Sequence, residues 1–441
     1  MVFTFDLEIG IPSEMVTSKK LSELLLTAHL GLSPLYWFAK IPVEIILYGK
    51  YIIYALAVSS VWLATAGKGK VYFVKGIFGV WGFVTLSLLM VPGFLQSSFN
   101  DSLDMLLSLS YGFITIWTVY QFERSTERFK NVLINSALFV LTLSVLVIMS
   151  RVVGWPEWTN PYSGNLLSDT GFDPKRTGWA LSTSLFVSIL FIFSHEVYKN
   201  YKFGRKSFTF SIAIIIPLSQ LVVGGRAGIL ASLAAYMSIM KLRTAVFFGM
   251  LLLVSSAMII ELFGLNEWLY ERLRFFDLPD VDLTFRSMED FESLDRFSSY
   301  RISQYLFAMQ SITNNPFFGI GIVPFEEMGL VADIHNLWLR LGTVFGVGLP
   351  IAFILMIVFL IKKALRNAML LETRNELDTK NYQNALIGTL VAGLVVSQFE
   401  ALVLIGAYQT STLWWASVGA TLAITKKITC TSSNGEDIRI R

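Results

Sequence analysis

The stretch HNLWLRLGTVFGVGLPIAFILMIVFLIKK (335–363) joins a polar start to a long apolar run. Positions 341–361 carry no charged side chain, and the run ends at two lysines. A helix of about 20 apolar residues crosses the ~30 Å hydrocarbon core of a bilayer. The pattern therefore predicts a membrane-spanning helix over 336–363, with His335 and Asn336 where that helix meets water.

Runs of this kind recur along all 441 residues, of which 54% are hydrophobic and only 15% charged. Soluble domains carry about a quarter charged residues. Hydropathy predicts about twelve spans, at 21–39, 44–66, 74–97, 103–121, 131–154, 179–197, 207–224, 227–242, 244–265, 336–363, 381–399 and 401–425. Backbone polar groups in lipid must pair within their own segment, so each span is expected to be helical. The predicted fold class is an all-α polytopic membrane protein.

Lysine and arginine collect in alternate connections, which predicts the orientation, because basic loops stay in the cytoplasm. The predicted organisation has about nine spans in 1–265, an outer loop subdomain at 266–335, three spans in 336–425 and a cytoplasmic tail at 426–441. The loop subdomain has no lysine, and it contains five arginines and twelve acidic residues. Its stretch 298–322 has helical periodicity, which predicts a helix packed against the bundle.

Three residues on the predicted outer face are candidates for chemistry. Arg226 lies in the turn GGRAG (224–228), Arg301 opens the helix of the loop subdomain, and His335 ends that subdomain. An arginine at membrane depth is costly unless it is paired or faces water, so it is a functional candidate. The alternatives are a headgroup-facing Arg226, an Arg301 that pairs with the acidic stretch 288–295, and a His335 that caps a helix.

The inventory of side chains disfavours metal and hydrolase chemistry. Three histidines and one cysteine, spread over different segments, do not supply a zinc site, and no GxSxG motif is present. Guanidinium groups bind phosphate oxygens in pairs, and a histidine takes a proton from a hydroxyl near neutral pH. The candidates therefore suit transfer from a pyrophosphate-linked donor, with no metal and no cofactor.

In order, GGRAG, YRISQYLFAMQSITNNPFFGIG (300–321) and HNLWLRLGTVFGVGLP (335–350) resemble the motifs of the O-antigen ligase and O-antigen polymerase superfamily. The resemblance implies a GT-C-like membrane fold and a metal-independent, inverting glycosyltransferase that uses an undecaprenyl-pyrophosphate-linked oligosaccharide. It gives Arg226 and Arg301 the role of binding the pyrophosphate. It gives His335 the role of activating the acceptor hydroxyl, with Gly346 eleven positions beyond it.

Further candidates come from the same resemblance. Arg176 in FDPKRTGWALS (172–182) matches a polymerase loop and is a candidate to bind a second lipid-linked chain, or a plain interfacial arginine. Asn336 and Glu400 are candidate substrate-binding residues, and Glu400 is alternatively a helix-end carboxylate. Four aromatic side chains are candidates for stacking on sugars or for anchoring at the interface, namely Trp268, Tyr270, Phe275 and Phe276.

The expected function is a polymerase of O-antigen, capsule or exopolysaccharide in the bacterial inner membrane, with its active site facing the periplasm. A ligase that transfers the glycan to lipid A-core, a transporter of lipid-linked oligosaccharides and a scaffold for a synthase complex are the alternatives. The expected partners are the lipid-linked donor and membrane lipid, with a chain-length regulator protein as a further candidate. No basic tract indicates nucleic acid.

Overall fold

The computed structural model describes residues 16–37, 43–66, 71–153, 176–200, 205–223, 225–240, 250, 295, 300–324, 326–330, 333–399 and 408–433. Every secondary-structure element among these residues is a helix, and they contain no strand. The helices are α1 Val16–Gly31, α2 Val43–Ala66, α3 Val80–Phe94, α4 Phe99–Thr126, α5 Phe129–Val153, α6 Arg176–Ser184, α7 Val187–Asn200, α8 Arg205–Val223, α9 Arg226–Ile239, α10 Arg301–Asn314, α11 Leu337–Phe345, α12 Gly348–Thr373, α13 Leu377–Val396 and α14 Tyr408–Ser433.

Four stretches of the described helices are long and apolar enough to cross a membrane. They are Tyr48–Ala66 in α2, Phe99–Thr126, Phe129–Met149 in α5 and Gly348–Thr373. The all-helical prediction is thus confirmed for the described residues. The count of twelve spans stays a prediction, and the predicted span 244–265 lies outside the described residues apart from Met250.

Four predicted spans are not single helices. The span 74–97 contains a 3-10 helix, Gly76–Phe78, before α3. The span 336–363 divides into α11 and α12 at Gly346, whose φ of 81° no ordinary helix contains. The span 179–197 divides into α6 and α7 at a turn over residues 185–186. In the span 21–39, α1 ends at Gly31 and a 3-10 helix, Ser33–Trp37, follows with Pro34 inside it. Hydropathy averages over such breaks and therefore misses them.

Small residues let the central helices pack closely. A Cβ at Gly112 of α4 would lie 2.6 Å from the Trp415 ring of α14. A Cβ at Gly393 of α13 would lie 2.2 Å from the ring of Trp414. Both tryptophan side chains are fully buried. Contact at glycine is the usual way for helices to pack in a membrane, where apolar surface alone gives them no reason to associate.

The two ends of α13 are used to name two ends of the bundle. At its C-terminal end the N–H of Leu337 donates to the carbonyl of Ser397 at 2.9 Å, and this is called the His335 end. At its N-terminal end, Asp378 lines a cavity with Lys427 of α14 and Glu127 after α4, which contact each other at 2.9 Å, and this is called the Lys427 end. The 20 residues of α13 correspond to a separation of about 30 Å.

Candidate functional site

His335 is held between α10 and α11 by its backbone. Its N–H donates to Oε1 of Gln304 at 3.1 Å. The hydroxyl of Tyr305 lies 3.5 Å from the carbonyl oxygen of His335 and 3.5 Å from that of Gln398. The histidine side chain is partly exposed. The segment that carries the imidazole is therefore fixed to α10 on one side and to the end of α13 on the other.

Asn336 begins α11 as its N-cap. Its Oδ1 accepts hydrogen bonds from the N–H groups of Trp338 and Leu339, at 3.0 and 3.1 Å. Its Nδ2 donates to the carbonyl of Gln398 at 3.3 Å. Asparagine is among the preferred N-cap residues because it satisfies amides that the first turn leaves unpaired. Asn336 thus orients the segment next to His335.

Arg301 is the first residue of α10, as the sequence predicts. Tyr300 before it has a left-handed φ of 61°, and its N–H donates to the carbonyl of Asp295 at 2.6 Å. The Arg301 guanidinium lies 5.8 Å from the centre of the Phe399 ring, in cation–π geometry. Phe399 follows α13 directly, so Arg301 and His335 both lie against the end of that helix.

The Gly-Ile-Gly motif after α10 packs against protein backbone. The N–H of Ile320 donates to the carbonyl of Thr343 at 2.8 Å, and that of Gly321 donates to Val344 at 3.1 Å. Gly319 and Gly346 have φ of 65° and 81°. A Cβ at Gly346 would lie 2.5 Å from the Phe317 carbonyl. These glycines are explained by the tight contact between this loop and the end of α11.

The direction of α13 relative to α6 and α7 follows from two hydrogen bonds. Ser188 donates to the carbonyl of Ala385 at 2.8 Å, and Thr389 donates to that of Leu185 at 2.9 Å. Residue numbers therefore increase along α13 in the direction in which they decrease along α6 and α7. The two segments run antiparallel, so α6 begins at the His335 end.

Helix α9 runs parallel to α6 and α7. A Cβ at Gly228 would lie 2.6 Å from the Cβ of Ala180, and the rings of Phe191 and Tyr236 are 6.0 Å apart. Helix α9 therefore also begins at the His335 end.

Arg226 and Arg176 are the first residues of α9 and α6, so both lie at the His335 end. Thr389 of α13 lies beside Leu185, and Gly228 of α9 lies beside Ala180. At 1.5 Å per residue, the start of α9 and the last turn of α13 therefore both lie about 10 Å beyond the level of Thr389, towards His335. The turn between α8 and α9 is as short as predicted, with Gly225 as the N-cap. The structure thus brings the starts of α6 and α9 to the level of His335.

A partly buried ion pair next to the histidine was not predicted. Arg340 on α11 pairs with Asp333, two residues before His335. Gln304 was missed as well, although its side chain is fully buried on the inner face of α10 with Ala308 and Ser311. The only sequence signal for Gln304 is its place on that face, since an uncharged residue without a motif does not stand out.

Several predicted site residues lie outside the described residues. These are Glu400 and the four aromatic candidates Trp268, Tyr270, Phe275 and Phe276. Of the 266–335 subdomain, the structure describes Asp295, 300–324, 326–330 and 333–335, which is about half. Within the part that is described, no group of three or more His, Cys, Asp or Glu side chains could hold a metal ion.

No model of a known protein family matches the sequence, and no curated protein matches it either. The resemblance to the O-antigen ligase and polymerase superfamily therefore depends on the three motifs alone.

Proposed function

We propose that this protein is a polytopic inner-membrane glycosyltransferase that polymerises a polysaccharide from an undecaprenyl-pyrophosphate-linked donor. The observation that carries the proposal is the meeting of His335 and Arg301 at the end of α13, where α6 and α9 also begin. The three motifs of the resemblance, separate in the sequence, thus belong to one end of the bundle. In this proposal the full chain has about twelve spans, a GT-C-like fold and a periplasmic subdomain at 266–335.

The proposed chemistry divides between cations and one base. Arg301 and Arg226 bind the pyrophosphate, because a guanidinium pairs with two phosphate oxygens at once. His335 takes the proton from an acceptor sugar hydroxyl as that oxygen attacks the anomeric carbon. The bond from that carbon to the pyrophosphate oxygen breaks, and the lipid pyrophosphate leaves with inversion. Charge that develops on the leaving group is stabilised by the arginines, so no metal is required.

The distribution of basic residues supports a periplasmic site. At the Lys427 end, Arg366 and Lys426 are exposed, each seven residues before the end of its helix, as the positive-inside rule expects of a cytoplasmic face. The His335 end has fewer basic residues among those described. A lipid-linked donor whose sugars are outside and whose pyrophosphate lies at the headgroup level would reach this end.

Deletion of the gene with analysis of the cell-surface glycan tests the proposal. A polymerase predicts that the glycan ladder collapses to single repeat units. A ligase predicts long chains that remain on undecaprenyl pyrophosphate. An unchanged ladder would rule out both, and with them the enzyme proposal. The polymerase is preferred because the RTGW segment that opens α6 resembles that of polymerases.

A transporter of lipid-linked oligosaccharides is the second candidate, and one observation favours it. Nε2 of His29 lies 2.6 Å from the hydroxyl of Tyr111, which lies 2.8 Å from Oγ1 of Thr412. Lys50 is also buried, with 5% of its surface exposed. Buried ionisable groups in spans mark ion or substrate pathways, and transporters build sites at interrupted helices such as α1.

The two candidates differ in where the lipid-linked unit accumulates after deletion. Loss of a transporter leaves it on the cytoplasmic leaflet, protected from periodate added to spheroplasts. Loss of a polymerase leaves it on the outer leaflet, where periodate oxidises it.

A further inference from the structure

A cavity of about 150 Å³ opens among α4, α5, α13 and α14 at the Lys427 end. It lies at the end of α13 opposite His335, so it is separate from the proposed transferase site. Its lining includes three acidic and three basic side chains, which are Glu123, Glu127, Asp378, Arg124, Lys130 and Lys427. Tyr382 of α13 also lines it, with Ala423 and Ile424 as apolar wall.

Two of the three acidic side chains already have partners. Lys427 contacts Oε2 of Glu127 at 2.9 Å. The N–H of Phe129, at the start of α5, donates to Oε2 of Glu123 at 2.9 Å. Asp378 is exposed in the first turn of α13, where a carboxylate is favoured by the helix dipole. The acidic groups are therefore largely accounted for by contacts within the protein.

Two donors in the same cavity, on Tyr382 and Arg124, have no such partner among the described residues. The Tyr382 side chain is 6% exposed, and its hydroxyl has no hydrogen-bond partner among the described residues. Nε of Arg124 is likewise buried without a partner in the described part of the chain. The Arg124 guanidinium is held 5.0 Å from the centre of the Tyr72 ring. A buried polar group without a partner is costly, so two of them in one cavity point to a group that binds there.

The first turn of α13 lies at the cavity. Amide N–H groups in a first turn have no partner within the helix, and Asp378 and Thr379 of that turn line the cavity. The guanidinium of Arg124 and the phenol of Tyr382 line the same cavity and form a set that suits the oxygens of one anion. The cavity volume of about 150 Å³ is ample for one phosphate group, since a water occupies roughly 30 Å³.

We propose that this cavity binds a phosphate group. Arg124 would pair with two phosphate oxygens and Tyr382 would donate to a third. The phosphate comes either from free inorganic phosphate or from the headgroup of an anionic lipid in the adjacent leaflet. Both sources present the same oxygens.

Binding to the full-length protein in phosphatidylcholine nanodiscs tests the site. The melting temperature is followed by tryptophan fluorescence while inorganic phosphate is added against sodium chloride of equal ionic strength. The same measurement is made in nanodiscs where part of the phosphatidylcholine is replaced by phosphatidic acid. A saturable rise with inorganic phosphate identifies the free anion, and a rise with phosphatidic acid alone identifies the lipid.

The variants Arg124→Gln and Tyr382→Phe decide whether the cavity is responsible. Arg124→Gln is expected to weaken binding about tenfold, because a charge-assisted hydrogen bond is lost. Tyr382→Phe keeps the ring and its packing, so it tests the hydroxyl even if Arg124→Gln fails to fold. Arg366→Gln, exposed at the same end but outside the cavity lining, is the matched control and should bind like the unaltered chain.

The proposal is overturned if neither phosphate source raises the melting temperature. It is also overturned if Tyr382→Phe and any folded Arg124→Gln respond like Arg366→Gln. Failure here leaves the transferase proposal untouched, because the glycan assays report on residues at the opposite end of α13.

Discussion

The backbone N–H of His335 donates to Oε1 of Gln304 at 3.1 Å, and Gln304 lies one helical turn beyond Arg301 on α10. A single contact thus ties the position of the candidate base to that of a candidate phosphate ligand. Any movement of α10 relative to α11 would change both. The proposed site consequently depends on how the loop before α11 packs, as well as on its charged residues.

Loss of His335 or of an arginine is predicted to abolish the product. His335→Ala should reduce polymer by about 100-fold or more, the usual contribution of a general base. Arg226→Ala and Arg301→Ala should do the same, and Arg301→Lys should recover little, because an ammonium cannot form the paired contact. Glycan gels report the product and immunoblots of membranes report insertion.

Arg366→Ala, exposed near the end of α12, is the matched control for these variants and should make normal polymer. Full-length polymer from any one of His335→Ala, Arg226→Ala or Arg301→Ala would remove that residue from the mechanism.

Gln304→Leu is predicted to lower stability and product together. The His335 N–H would lose its acceptor, a cost of about 1–3 kcal/mol for a buried donor. Gln310→Leu, on the exposed face of the same helix, keeps the contact and should change neither. Thermal unfolding in detergent and glycan gels measure the two effects. Equal behaviour of the two leucine variants would show that the contact does not position His335.

Alanine substitutions at two glycines, two positions apart, are predicted to have different effects on stability. Gly346→Ala forces a side chain into a backbone with φ of 81° and within 2.5 Å of Phe317. Such a conformation costs about 1–3 kcal/mol. Gly348→Ala lies at the start of α12, with its nearest neighbour, Leu89, 3.4 Å away. It should be neutral or raise stability by up to about 1 kcal/mol.

Thermal unfolding of the two alanine variants measures the difference. A Gly346→Ala protein as stable as the unaltered chain would mean that the loop 315–321 is not tied to α11 in the way described.

Cysteine labelling is predicted to show which side of the membrane each end of the bundle faces. Cys430 is the single cysteine and lies partly exposed on α14 at the Lys427 end. A membrane-impermeant maleimide should leave it unlabelled in intact spheroplasts and label it once they are permeabilised. In a Cys430→Ser chain, Gln310→Cys at the opposite end should be labelled without permeabilisation. Labelling of both from the same side would contradict the proposed topology.

The helical character of the chain and the helix that begins at Arg301 could be predicted from sequence, because both depend on local hydropathy and periodicity. The breaks within the predicted spans could not be predicted. Gly346 has apolar residues on both sides, and its left-handed φ is set by the contact with Phe317, which lies 29 positions earlier. A hydropathy window does not detect a contact between distant segments.

The candidate site was predictable in part for the same reason. His335 stands out as one of three histidines, at the start of an apolar run, and Arg301 as the residue that opens the periodic stretch of the loop. Gln304 and the pair of Asp333 with Arg340 become meaningful only when the loop folds back on α10 and α11. The polar contact of His29 with Tyr111 joins residues 82 positions apart, which no local pattern predicts.

The most direct test of the central claim is transfer by the purified protein. The protein in liposomes, with a chelator present, is given an undecaprenyl-pyrophosphate-linked repeat unit, and released undecaprenyl pyrophosphate is measured beside the glycan product. We predict release in equal amount to new glycosidic bonds for the unaltered chain and none for His335→Ala or Arg301→Ala. Equal release by His335→Ala, or glycan transfer that stops when the chelator is added, would contradict the account.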